Sequence, residues 1–151
     1  MLNYSKGEAD RIRANTAPEI NRRIDGRIEE NVRYYSGQPR ERLYERIRKL
    51  DEEWDMERLL ETMASSFSLT GIVFALTIDR RWLLVPTVVL SFLLLHAVQG
   101  WCPPVPLLRR LGVRTREEID RERYALKALA GDFEGVARHA DNIEQTLAAV
   151  K

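Results

Sequence analysis

Two apolar runs, Thr62 to Ile78 and Trp82 to Val98, stand back to back in the middle of this chain, with only Asp79-Arg80-Arg81 between them. Neither run holds an Asp, Glu, Lys or Arg. A soluble core has no need of two such runs joined by three charged residues; a membrane hairpin does. At 1.5 Å per residue each run spans roughly 25–27 Å, just short of a typical hydrocarbon core of ~30 Å. The spans are therefore placed at about 62–78 and 82–100. The competing reading is a soluble four-helix bundle whose core is this central pair.

Charge is concentrated outside the runs. Thirteen Lys/Arg and 14 Asp/Glu precede Thr62, and nine and eight follow Val98. Both flanks are nearly neutral, which excludes the basic footprint of a nucleic-acid binder and any polybasic block for anionic lipid. With the middle third in lipid, neither flank is large enough for a substantial enzyme core. Cys102 is the only cysteine, so no intrachain disulfide forms, which fits a reducing compartment. The polar start, Met1 to Lys6, leads us to expect no cleavable signal peptide. With no Asp, Glu, Lys or Arg inside either run, neither is equipped for an ion or proton relay, which argues against a transporter.

The flanks read as helices. Thr16 suits an N-cap ahead of Pro18 and Glu19, and Ile20, Ile24, Ile28 and Val32 follow in one stripe. Ser36-Gly37-Gln38-Pro39 ends that helix, with Gly37 suited to a left-handed cap and Pro39 to the next start. Leu43, Ile47, Leu50 and Trp54 form a second stripe, and an antiparallel helical hairpin within 1–53 would hide both. If it does not, the isoleucine stripe is the natural surface for a cytoplasmic partner. Asp51 is placed to cap a fresh helix into the membrane, although an unbroken helix fits equally.

Beyond the spans, Pro103, Pro104 and Pro106 forbid a continuous helix. Leu107, Leu108 and Leu111 beside Arg109 and Arg110 suit a segment at headgroup level, closed by Gly112. Thr115-Arg116-Glu117-Glu118 is a capping box for a helix ending near Gly131. Ile143, Leu147 and Val150 make a last weak amphipathic stretch. The expected fold is all-α: a two-span transmembrane helical hairpin over 54–115, with amphipathic cytoplasmic helices in 1–53 and 116–151.

Nine Lys/Arg lie near the outer ends of the spans (Arg42, Arg46, Arg48, Lys49, Arg58, Arg109, Arg110, Arg114, Arg116) against Arg80 and Arg81 in the turn. That bias puts both termini in the cytoplasm. Trp82 and Trp101 bracket the second span roughly 28 Å apart along a helix, as interfacial anchors do. Ala64, Ser68, Gly71 and Ala75 form a small-residue face for the second span or for a partner subunit. Ser65, Ser66 and Thr70 can return hydrogen bonds to their own helix. His96 and Cys102 sit close in sequence at the membrane edge, where imidazole and thiolate can bind metal or form an activated pair. Two ligands are too few for a zinc site, and an interfacial histidine with a structural cysteine is the simpler account. His139 carries no signal, and pairs such as Glu29-Glu30 and Glu52-Glu53 read as solvated helix faces. No catalytic arrangement, cofactor motif or metal motif is present.

Trp82-Leu83-Leu84, the apolar run after it, Gly100-Trp101-Cys102-Pro103, Leu107-Leu108, Leu111-Gly112 and Thr115 together resemble the YgaP-like transmembrane-domain family. Glu57-Arg58-Leu59-Leu60 resembles that family's lead-in, so the likeness runs from about Trp54 to Thr115. The resemblance implies a bacterial inner-membrane hairpin that pairs with itself, a type found alone or fused to a rhodanese (sulfurtransferase) domain. This chain departs from the pattern at Pro104-Val105-Pro106 and the two arginines, and carries no rhodanese signature. Two functional expectations follow. One is a non-enzymatic, homo-oligomerising membrane anchor or scaffold for cytoplasmic partners. The alternative makes Cys102 a membrane-face thiol in sulfur transfer or redox sensing, beside a separate sulfurtransferase.

Overall fold

The computed structural model describes residues 11–133, and within them every regular element is a helix. The chain is all-α. The elements are α1 (Arg11–Ala14), α2 (Pro18–Ser36), α3 (Arg40–Asp51), α4 (Met56–Thr77), a 3-10 turn (Arg80–Leu83), α5 (Leu84–Gln99), α6 (Val105–Leu111) and α7 (Arg116–Ala130). The stretch around Ile143, Leu147 and Val150, and His139, lie outside the described residues.

Contacts divide the described chain into two compact units, each built from separate stretches of sequence. One takes residues 11–24 and Trp54–Arg116, the other Asp25–Glu53 and residues 117–133. Residues 11–53 are thus shared between the two.

In the first unit, α4 and α5 pack on each other through the 3-10 turn that joins them. A small core of Ile12, Met56, Leu60, Cys102, Val105 and Leu108 gathers where α4 begins and α5 has ended. Helix α4 starts earlier than the apolar run alone suggests, because Asp55 caps it: its carboxylate accepts the Arg58 amide at 2.7 Å. The other carboxylate oxygen of Asp55 receives Arg116 at 2.9 Å, and the Met56 amide donates to the Arg114 carbonyl. Helix α5 holds Pro86 in its first turn, where no intrahelical bond needs its missing N–H. It ends at Gly100, whose φ of 73° is left-handed.

In the second unit, α3 and α7 supply Ile47, Leu50, Ile119 and Leu126 to a common core, with Tyr35 of α2 at its edge. Within it the carboxylate of Glu122, fully buried, receives Arg46 at 2.8–2.9 Å and Asn31 at 3.1 Å. Such a network fixes the register of the helices more than it adds stability. Around it, Arg121 pairs with Asp25 and Arg123 with Asp51 and Asp120.

Several local expectations are corrected. Thr16 is not the cap of α2; its hydroxyl donates to the Ile12 carbonyl at 2.7 Å and closes α1, leaving Ala17 as the residue before the helix. Gly37 is not left-handed; Gly100, Gly112 and Gly131 are. Asp51 ends α3 rather than capping α4. Trp54 does not join the buried stripe, since it is 45% exposed with the Arg58 guanidinium 4.4 Å above its ring. The isoleucine stripe is not free for a partner: Ile24 and Ile28 are buried and Ile20 and Val32 half-buried.

Candidate functional site

Two helices, one inside Arg40–Thr77 and one inside Arg80–Gln99, are long and apolar enough to cross a membrane. Only 22% of the first apolar window and 6% of the second is buried inside the chain. A core helix of a soluble bundle is mostly covered, whereas here Phe67, Ile72, Leu76, Leu84, Leu90 and Leu94 all face outward. An exposed apolar surface on this scale marks an interaction face.

On the inward side of α4, Ala64, Ser68 and Gly71 are buried and Ala75 is half-buried. Gly71 lies close against Val85 and Pro86 of α5. Phe74 meets Trp82 edge-on, with ring centroids 5.0 Å apart. Trp82 and Trp101 are both partly exposed, at 40% and 38%. The hydroxyls of Ser66 and Thr70 donate to carbonyls one turn back at 2.7–2.8 Å, as do Thr62, Thr77, Thr87 and Ser91. Every one of these satisfies its polar atom inside its own helix, as an apolar surrounding requires. Ser68 differs: its hydroxyl is buried without a hydrogen-bond partner.

The carboxyl end of α5 is closed from a distant part of the chain. Arg11 donates to the carbonyls of Ala97 and Val98 at 2.8 and 3.1 Å, and Asn15 to that of Gln99 at 2.9 Å. These three carbonyls are among the orphans every helix leaves at its end. A Cβ on Gly100 would fall 2.4 Å from Arg11 Cβ, so the glycine makes room for α1. Sequence reasoning gave Arg11 and Asn15 no role, because a cap supplied across more than eighty residues leaves no local pattern.

Cys102 lies in the core beside Ile12, Met56 and Val105, and its carbonyl accepts the Val105 amide at 3.0 Å. Burial pushes its thiol above the usual range, away from the thiolate that sulfur transfer needs. His96 is half-buried, with Nδ1 lacking a hydrogen-bond partner. Among the described residues no three His, Cys, Asp or Glu side chains converge as metal ligands.

Helix α6, the segment expected at headgroup level, is two-faced. Leu108 and Arg109 turn inward, while Leu107, Arg110 and Leu111 face out. Arg109 is completely buried, giving its guanidinium to Asn21 at 2.8 Å and to the Val113 carbonyl at 3.1 Å. No family model, no curated protein and no solved structure matches this chain.

Proposed function

We propose that this protein is a non-enzymatic integral membrane protein. Its helices α4 and α5 cross the bilayer as an antiparallel hairpin, with both tails on the cytoplasmic side, of the kind the YgaP-like resemblance implies. The observation that carries the reading is the near absence of cover over two apolar helices. Lipid is the solvent that makes such a surface favourable, and the internally satisfied hydroxyls suit it. The surplus of Lys and Arg at the outer ends of the spans favours the cytoplasm for both tails.

Its role is that of an oligomerising anchor in a bacterial inner membrane, holding helical cytoplasmic material at the surface for partner proteins. The buried, poorly ionised Cys102 gives the thiol alternative no support. The test is extraction of native membranes with alkaline carbonate, combined with protease-protected tags at the two ends. The chain is expected in the pellet with both tags on the inner face. Release into the supernatant, or tags on opposite faces, overturns the reading. Cross-linking in the same membranes tests the oligomer, with a strictly monomeric product as the adverse result.

A further inference from the structure

We propose that α6 and an arginine docked at its carboxyl end form a binding site for anionic phospholipid at the surface where α5 leaves the bilayer. The proposal rests on the membrane reading above. Only residues 100–104 separate α5 from α6, and the Val105 amide closes a turn on the Cys102 carbonyl. Helix α6 is therefore held beside the end of the span.

Its buried face, Val105, Leu108 and Arg109, attaches it to the protein. Its other face presents Leu107 and Leu111, 60% and 72% exposed and one turn apart. Arg110 is exposed between them. Arg23, from α2, donates Nη2 to the Arg110 carbonyl at 2.9 Å, which places a second guanidinium at the same helix end. Neither Arg23 nor Arg110 has a carboxylate partner among the described residues. A guanidinium has five donors, so each keeps several for phosphate oxygens.

The ligand follows from the pairing of chemistries. Two outward leucines suit the acyl boundary, and two unneutralised guanidinium groups suit the phosphate plane above it. A soluble anion would leave the leucines without a purpose, and an uncharged surface would leave the arginines without one. Neither flank has a run of basic residues; the fold assembles this pair from positions 87 apart in sequence.

The experiment uses the full chain in phosphatidylcholine vesicles with and without phosphatidylglycerol. Single fluorophores are attached at Leu107→Cys, Leu111→Cys and Leu90→Cys in the Cys102→Ala background. Lipid-borne quenchers then report depth. The labels at 107 and 111 are expected to respond to shallow quenchers, and more strongly when the quencher is carried on phosphatidylglycerol. Arg23→Ala with Arg110→Ala should lower that preference by up to about fivefold per arginine, while the lysine variants keep it. Labels at 107 and 111 that stay in water overturn the proposal, as does a preference that survives the double alanine variant or vanishes with soluble glycerophosphate. The label at 90 separates the two readings: if no lipid quenches it, the hairpin itself is refuted; if a deep quencher reaches it, failure at 107 and 111 belongs to this proposal alone.

Discussion

Replacing Gly71 with alanine probes the packing of α4 on α5 with the smallest chemical change available. The added Cβ would lie 2.7 Å from Pro86 Cδ, 3.0 Å from Val85 Cβ and 3.2 Å from Val85 Cγ1. A proline ring and a β-branched stem cannot swing aside, so the two helices must part by several tenths of an ångström. Overpacking of this kind costs roughly 1–3 kcal/mol, and alanine's better helix propensity returns about 1 kcal/mol. The net expectation is a loss of up to about 2 kcal/mol, growing for Gly71→Leu.

Gly26 supplies the internal control. It also lies within a helix, but a Cβ there meets nothing within 4 Å. Gly26→Ala therefore keeps the propensity gain and should stabilise by about 0.5–1 kcal/mol. The assay is reversible unfolding of the purified chain in mixed micelles, read from the helical circular dichroism signal as the denaturing detergent fraction rises. If Gly71→Ala stabilises as Gly26→Ala does, the inferred contact is absent. If it leaves unfolding unchanged yet abolishes a cross-linked dimer, the small-residue face meets a second subunit instead.

Other outcomes follow from the same geometry. Asp55→Ala removes the acceptor for the Arg58 amide and should cost about 1 kcal/mol in the same assay, nearly all of it from the cap, because Arg116 is 71% exposed and its ion pair contributes little. Glu122→Ala strips Arg46 and Asn31 of a buried acceptor and should cost about 2–4 kcal/mol, with Glu122→Gln milder; equal effects would show that the charge is irrelevant. Gly100→Ala meets both a left-handed backbone, worth about 1–2 kcal/mol, and the backbone of Arg11, so it should destabilise more than Asp55→Ala. Cys102 should alkylate slowly through neutral pH and react only above the range of a free thiol. Because the folded thiol ionises at higher pH than the unfolded one, its contribution to stability is complete below the ordinary thiol range and is lost as pH rises through the folded value.

What the sequence made legible was whatever has a local cause. The three charges between the apolar runs place the turn, and Gly112 and Gly131 stop their helices because no other residue takes a left-handed angle so cheaply. Ser66 and Thr70 return their hydroxyls to carbonyls one turn back, as short polar groups on a helix do, whereas Ser68 does not. Where two residues competed for one role, a distant partner decided. Asp51 and Asp55 are both fit to cap a helix, but Asp51 is held by Arg123 and Asp55 is backed by Arg116. Arg109 and Arg110 are chemically identical neighbours, yet only Arg109 finds Asn21 and the Val113 carbonyl and is drawn inside. No periodicity distinguishes them.

In the proposed membrane reading, the two ends of the second span are finished in different ways. The 16 residues of α5 reach about 24 Å, below the ~30 Å of a typical hydrocarbon core. On the turn side the 3-10 segment adds about 8 Å, and Asp79 accepts the Arg81 amide where the backbone changes pitch. On the other side nothing extends the helix, because Gly100 reverses the chain. Its last carbonyls are left without helical donors, and each one unsatisfied away from water is costly. Arg11 and Asn15 remove that cost by donating to three of them from outside the span. The same arginine that closes the helix thereby brings α1 to the end of α5, and the tight left-handed glycine is what lets it approach. Closing the end of α5 and docking α1 are thus one feature: the donors that satisfy the last carbonyls are the ones that hold α1 there.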